Sequence, residues 1–140
     1  MKQLPLPPLP QPQPQPPMKQ REHQMQAALI RWVRLSQKGQ PGLRRLFAVP
    51  NGGHRLPAVA ARLKAEGVRA GVPDLVLPVA RGKYHGLFIE LKVPPNKLTP
   101  DQAAELDALE DEGYATRVCH SVTEAMAELQ WYLGLQKGCS

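Results

Sequence analysis

The sequence is poor in cysteine. Its two cysteines, Cys119 and Cys139, lie in no C-x-x-C motif and in no Cys/His cluster with zinc-ligand spacing. This excludes a disulfide framework and a structural zinc site. Cys119 precedes His120, but neighbouring residues of a strand point to opposite faces. We therefore expect structural roles for this pair, not those of a nucleophile and its base.

Long hydrophobic runs and aromatic residues are also scarce. No run reaches the ~18 apolar residues that mark a membrane-spanning helix, and the N-terminus lacks the apolar segment and cleavage site of a secretory signal. We therefore expect a cytoplasmic protein without a membrane partner. Aromatic residues make up 5% of the chain. They are too few to suggest platforms for base stacking, and we interpret them mainly as core.

Acidic residues are rare in the larger part of the chain. Residues 1–97 carry 16 Lys and Arg against 4 Asp and Glu, a balance of +12, whereas residues 98–140 carry 2 against 8, a balance of −6. A basic body with an acidic end predicts one face that attracts polyanions such as nucleic acid. A soluble protein of high pI without such a partner is the plain alternative.

Proline divides the chain into a tail and a domain. Eight of the 16 prolines fall within residues 1–17, a composition typical of an extended, polyproline-like segment. We predict a disordered Pro/Gln-rich tail over residues 1–19, one domain over residues 20–135 and a flexible C-terminus over residues 136–140. The tail could bind a protein partner through a P-x-x-P segment such as residues 5–8, or be inert.

The remaining pattern predicts a mixed α/β domain with the order αβαββαβα. Helices are expected from about Gln20 to the Gly/Pro cluster at residues 39–42, over residues 56–66, from a capping box at residues 99–102 to residue 112, and after a second capping box at residues 121–124. Strands are expected over residues 46–49, 75–77, 86–93 and 114–119. A turn at residues 81–83 makes the second and third strands antiparallel neighbours.

Three charged residues interrupt these apolar strands. Glu90 and Lys92 are two residues apart and so leave the same face of one strand, and Asp74 begins its predicted neighbour. Two carboxylates that converge with an ammonium group at a sheet edge suit Mg²⁺ or Mn²⁺ and the hydrolysis of a phosphodiester. A structural Asp/Glu–Lys network is the alternative.

Several motifs around these residues resemble one nuclease family. Pro73-Asp74 followed by Glu90-Leu91-Lys92 is similar to the PD-(D/E)xK signature of the restriction-endonuclease-like fold. The stretches PNGGHR at residues 50–55 and GVRAGVPD at residues 67–74, with Glu22, Gln26 and Gln102, resemble the VRR-NUC family of replication and repair nucleases. The resemblance covers about residues 20–133.

The resemblance implies roles for particular residues. Asp74 and Glu90 would bind the metal together with the backbone carbonyl of Leu91, and Lys92 would be the catalytic lysine. Glu22 would act through a metal-linked water or a second ion, unless it is only a solvated helix charge. Gln102 would orient Lys92 or contact DNA, although it also completes a capping box.

Candidate DNA contacts cluster around the glycine-rich loop. Asn51, His54 and Arg55 lie in or just after this loop, before a helix N-terminus that could offer N–H groups to a phosphate. A sharp strand-to-helix turn would need the same residues. Arg69 and Lys97 are further candidates for backbone contacts, and each could be an ordinary surface charge.

These inferences predict a Mg²⁺- or Mn²⁺-dependent DNA endonuclease. The resemblance implies branched DNA such as a four-way (Holliday) junction as substrate, and a homodimer that presents two active sites to two strands. An exonuclease, a nuclease subunit of a repair or replication complex, and a module that binds nucleic acid without cutting are the alternatives.

Overall fold

The structure is a computed structural model, and it describes residues 10–50 and 56–137. Residues 10–17 precede the first helix without helix or strand. The elements that follow are α1 (Met18–Ser36), a 3₁₀ helix (Pro41–Arg45), β1 (Phe47–Ala48), α2 (Pro57–Ala65), β2 (Leu75–Leu77), β3 (Leu87–Leu91), α3 (Pro100–Asp111), β4 (Ala115–Cys119) and α4 (Val122–Leu133). Within the described ranges, no helix has the length and apolarity required to cross a membrane.

The four strands form one mixed sheet in the order β1-β2-β3-β4. β2 pairs antiparallel with β1 and with β3. The turn between β2 and β3 is closed by two backbone hydrogen bonds between Arg81 and Tyr84. β3 and β4 are parallel, which requires the crossover that α3 supplies. The predicted mixed α/β fold is confirmed.

The core lies on one face of the sheet. Leu75 and Leu77 of β2 share this face with Leu87, Ile89 and Leu91 of β3, and all five are buried. α1 and α4 cover the face with side chains three or four residues apart, as an amphipathic helix requires; they are Met25, Leu29, Val33, Ala125, Leu129 and Tyr132. The opposite face of β3 therefore carries Phe88 and Glu90, and Lys92, one residue beyond the strand, continues the alternation.

The structure differs from the sequence-based expectation in several details. α1 begins two residues earlier, at Met18, and β1 is only two residues long. The segment after α1 forms a 3₁₀ helix that was not predicted. Pro41 begins it, since proline suits the first helical position, and the buried Leu43 anchors it to the core.

Tyr132 is fully buried, whereas Phe47 and Trp131 are 50% and 39% exposed, so the interpretation of the aromatic residues as mainly core does not extend to these two. One further prediction needs correction. The expected second capping box is only half formed. Ser121 accepts a hydrogen bond from the N–H of Glu124, but the carboxylate of Glu124 accepts from the N–H of His120 and not from that of Ser121.

Candidate active site

Asp74 lies at the entrance of β2, beside the end of β3. Its carbonyl accepts a hydrogen bond from the N–H of Val49 at 2.8 Å, which continues the pairing with β1. Its Oδ2 accepts a hydrogen bond from the N–H of Leu91, also at 2.8 Å. Because Leu75 pairs with Ile89, the antiparallel register places Asp74 opposite Glu90.

Glu90 and Lys92 are charged residues inside the fold. They are 3% and 5% exposed, and Nζ of Lys92 lies 3.9 Å from Oε1 of Glu90. Buried charges are costly unless they are paired or bind an ion. The structure thus brings Asp74, Glu90 and Lys92 together at one end of the β2–β3 hairpin.

Gln102 connects this group to the start of α3. Its Oε1 accepts a hydrogen bond from the N–H of Thr99, while its own N–H donates to Thr99 Oγ1, so the predicted capping box is formed. Its Nε2 donates to Oε1 of Glu90 at 2.9 Å. One side chain therefore caps the helix and positions the carboxylate, and its hydrogen bond goes to Glu90 rather than to Lys92.

Glu22 reaches the site from the first turns of α1. Its Oε1 accepts hydrogen bonds from Nδ2 of Asn96 at 2.8 Å and from the N–H of Val93 at 3.4 Å. Both donors lie just beyond β3. Glu22 is thus fixed against the segment that follows Lys92.

The carboxylates share a poorly solvated environment. Burial first, and then repulsion from Asp74, raises the pKa of Glu90 to about 8, against the opposing attraction of Lys92. Burial also raises the pKa of Asp74, while the hydrogen bond from Leu91 lowers it. The negative charge of Glu22 raises the pKa of both groups. Such a set favours an additional positive charge.

The donor set fits a hard divalent cation. Oε2 of Glu90 is buried and has no hydrogen-bond partner among the described residues. The N–H of Leu91 faces Asp74, and in an extended strand the carbonyl of the same residue points to that side too. Two carboxylates and one carbonyl are oxygen ligands of the kind that Mg²⁺ binds, with waters completing its shell.

Glu22 does not extend this set into a cluster of three acids. Within residues 10–50 and 56–137, no three His, Cys, Asp or Glu side chains lie close enough together to hold an ion. Since Oε1 of Glu22 is already hydrogen-bonded by Asn96, any role for Glu22 in cation binding would be through water. That role stays a prediction.

The charged group lies at the base of a cleft of about 1400 Å³. Its lining residues come from α1, α2, the loop before Asp74 and the start of α3, together with Val49 and Pro50, which follow β1. Gln26 lines the cleft together with Glu22. The side chains of Lys19, Lys64 and Arg69 add positive charge to the walls, and Asp101 adds negative charge.

The predicted DNA contacts are distributed unevenly. Arg69 lines the cleft, but its guanidinium is held by Glu105 of α3, with N–O distances of 2.8 and 3.1 Å. Lys97 is exposed and is not part of the cleft wall. Asn51, His54 and Arg55 lie outside the described residues. Their roles stay predictions.

Some residues of the site gave no signal in the sequence. Asn96 and Glu105 act through contacts with residues 74 and 36 positions away, which only the folded chain reveals. Lys19 and Lys64 break no pattern, since charges are common at exposed helix positions.

Cys119 and His120 do not form a catalytic pair. Cys119 is buried in the core, and burial raises the pKa of its thiol to about 12. His120 is exposed, and its Nδ1 lies 3.1 Å from the carbonyl of Lys92. The residues thus face different surroundings, in agreement with the structural roles expected. Cys139 lies outside the described residues.

Comparisons with known proteins agree with this geometry. The chain is similar over 83% of its length to a solved structure titled VRR_NUC domain protein, with 32% sequence identity and a TM-score of 0.69, and the match covers 90% of that chain. No curated protein matches the chain. The family model described as VRR-NUC domain matches residues 12–123. Because this match includes the whole candidate site, from Glu22 to Gln102, and more than half of the chain, the protein belongs to the VRR-NUC domain family of nucleases.

Proposed function

We propose that this nuclease is a Mg²⁺- or Mn²⁺-dependent DNA endonuclease that cuts branched DNA. The observation that carries the metal dependence is Oε2 of Glu90, which is buried beside Asp74 without a hydrogen-bond donor among the described residues. Cleavage of a phosphodiester needs both a nucleophile and stabilisation of phosphate charge, and a cation bound to this oxygen would serve both needs.

Asp74, Glu90 and the carbonyl of Leu91 would hold the cation. When bound, a divalent cation lowers the pKa of a water and stabilises negative charge on a phosphate oxygen. Gln102 keeps Oε1 of Glu90 in place through its 2.9 Å hydrogen bond. The N–H of Leu91 orients Asp74 in the same way.

Lys92 is the proposed catalytic lysine. Its ammonium group is almost fully buried and stays 3.9 Å from Glu90, so it has few alternative positions. An ammonium group fixed in a poorly solvated cleft stabilises developing negative charge more strongly than a mobile surface lysine would. It could also orient the attacking water.

The preference for branched DNA rests on the family resemblance. A four-way junction has two strands to cut, and a homodimer would present one active site to each. Light scattering at working concentration should therefore give twice the monomer mass, and a monodisperse monomer would contradict the dimer. A protein partner bound by the Pro/Gln-rich tail and action in the cytoplasm are further parts of the proposal.

A cleavage panel tests the function. Four-way junction, flap, single strand and linear duplex are incubated with Mg²⁺, Mn²⁺ or EDTA. Asp74→Asn and Lys92→Ala are compared with Asp107→Asn and Lys38→Ala, which make the same changes at exposed positions outside the cleft. We expect cutting that requires a metal, is lost in the first two variants and is kept in the controls.

The substrates separate the remaining alternatives. An endonuclease opens a covalently closed circle, whereas an exonuclease releases nucleotides only from a labelled end. Equal cutting of junction and linear duplex would contradict the preference for branched DNA. Binding of every substrate without cutting in either metal would favour the module that only binds nucleic acid.

A further inference from the structure

Arg69, which lines the cleft, forms an ion pair with Glu105 of α3. Arg69 lies in the loop between α2 and β2, and both of its terminal nitrogens contact the carboxylate of Glu105, at 2.8 and 3.1 Å. The Arg69 side chain is 64% exposed and that of Glu105 is 19% exposed. Arg69 is thus accessible to a ligand that enters the cleft.

The guanidinium of Arg69 cannot bind two anions with the same two N–H groups. A carboxylate and a phosphate both match its planar fork, each accepting two parallel hydrogen bonds. Arg69 lines the same cleft as Asp74 and Glu90, where a DNA backbone must pass to reach them. A phosphate at this position would have to displace Glu105.

The loop itself does not need to move for this exchange. It packs closely on α3, because a Cβ atom built on Gly71 would lie 3.0 Å from the backbone of Asp101. Arg69 therefore stays within reach of Glu105, and rotation of its exposed side chain is enough to turn it towards a phosphate. Asp101, which lies one helical turn before Glu105, also lines the cleft. Because this residue is acidic too, α3 supplies no cation here that could pair with Glu105 in place of Arg69.

We propose that Glu105 competes with DNA phosphate for Arg69 and thereby limits the affinity of the cleft for DNA backbone. This inference rests on the proposed function, since it assumes that DNA enters the cleft. It gives Glu105 a role in setting how tightly the cleft holds a DNA backbone.

Binding measurements in EDTA test the competition without cleavage. Fluorescence anisotropy with a labelled linear duplex and a four-way junction, over a series of salt concentrations, is applied to the full chain and to Glu105→Gln. Glu112→Gln is the matched control, because it removes the same charge from an exposed position at the end of α3, outside the cleft. We expect Glu105→Gln to bind duplex roughly 2- to 5-fold more tightly, the range of a partly exposed ion pair.

The salt dependence identifies the cause. If Arg69 gains a phosphate contact, the slope of log K against log salt should steepen by about 0.9, the value for one neutralised phosphate of a duplex. Arg69→Gln should remove most of the gain when combined with Glu105→Gln. Glu105→Asp, which keeps the charge and shortens the side chain, should give an intermediate affinity and guards against a folding defect in one variant.

Three results would overturn the inference alone: equal affinities of the full chain and Glu105→Gln, an equal gain in Glu112→Gln, or an equal gain with and without Arg69. The last two would indicate plain charge repulsion. If neither the full chain nor any variant binds either DNA, the proposed function fails as well. Cleavage of a junction with unchanged binding by Glu105→Gln would keep the function and reject the competition.

Discussion

The two carboxylate oxygens of Glu90 have very different surroundings. Oε1 accepts a hydrogen bond from Gln102 and lies 3.9 Å from the ammonium of Lys92, whereas Oε2 has no partner among the described residues. A buried oxygen without a donor costs free energy. That cost falls on a residue to which the family resemblance assigns a metal-binding role.

Asn96 provides a prediction at the same scale. Oε1 of Glu22 accepts two hydrogen bonds. The one from Nδ2 of Asn96 is the shorter, at 2.8 Å, against 3.4 Å for the one from the N–H of Val93. Asn96→Ala leaves Glu22 weakly held, and since a hydrogen bond to a carboxylate contributes about 1.5–3 kcal/mol, we expect single-turnover cleavage to slow by roughly tenfold or more. The same loss should lower the free energy of unfolding by up to about 1.5–3 kcal/mol, so cleavage is compared at a temperature below the thermal unfolding of both proteins.

Asn96→Asp serves as the companion variant. It keeps the size of the side chain but places a negative charge next to Glu22, so its cleavage should be slower than that of Asn96→Ala. Rates equal to the wild type in both variants would show that Glu22 does not depend on Asn96.

Single residues could be predicted from the sequence where they broke a local pattern or completed one. Asp74, Glu90 and Lys92 stood out because charges interrupt apolar strands, and Gln102 because it completes a capping box. Asn96 and Glu105 broke no local rule. Their importance comes from pairings between distant segments, and the periodicity of one segment carries no information about such pairings.

At the scale of elements, the loop that leads from α2 into Asp74 packs on α3. None of the residues of α2 is buried. The loop itself packs on α3 through Gly71, and Arg69 binds Glu105. The position of this wall of the cleft thus depends on the contacts of the loop more than on those of the helix.

Two glycines allow this dependence to be measured. Gly67 and Gly71 both have positive φ, 99° and 86°, but only Gly71 has backbone atoms within 4 Å of an added Cβ atom. Gly67→Ala should lower the free energy of unfolding by about 1–2 kcal/mol, the cost of the left-handed conformation. Gly71→Ala adds a clash with Asp101 and should cost about 1–3 kcal/mol more.

Urea unfolding followed by circular dichroism gives both values. The cleavage rate of the surviving folded protein should also fall in Gly71→Ala, since the clash displaces the residues next to Asp74. Equal stability losses in the two variants would mean that the loop can move away from α3 at no cost.

The elements themselves were more predictable than their ends. Capping residues located α3 and α4, and the turn near Gly82 identified the antiparallel neighbours β2 and β3. The 3₁₀ helix and the shortness of β1 were not foreseen, because both depend on how the segment after α1 packs on the core. The parallel pairing of β3 with β4 likewise follows from the path of α3, which no short pattern describes.

For the whole molecule, the raised pKa of Glu90 links stability to pH. In the unfolded chain this carboxyl titrates near its ordinary pKa of 4.5, whereas in the folded protein its pKa is about 8. Between these values the folded state binds more protons than the unfolded state. The contribution of Glu90 to the free energy of unfolding therefore falls as the pH rises from about 4.5 to 8.

Thermal unfolding in EDTA across this pH range tests the linkage. The melting temperature of Glu90→Gln, which stays neutral at every pH, should exceed that of the wild type near pH 8 and approach it near pH 5, while Glu112→Gln should follow the wild type throughout. Because a bound cation replaces the proton, Mg²⁺ or Mn²⁺ should stabilise the wild type most at the upper end of the range, and Glu90→Gln far less. If the melting temperatures of the wild type and Glu90→Gln change with pH in parallel, Glu90 is ionised in the folded protein over this whole range. If the metal stabilises the wild type and Glu90→Gln equally, the cation binds elsewhere.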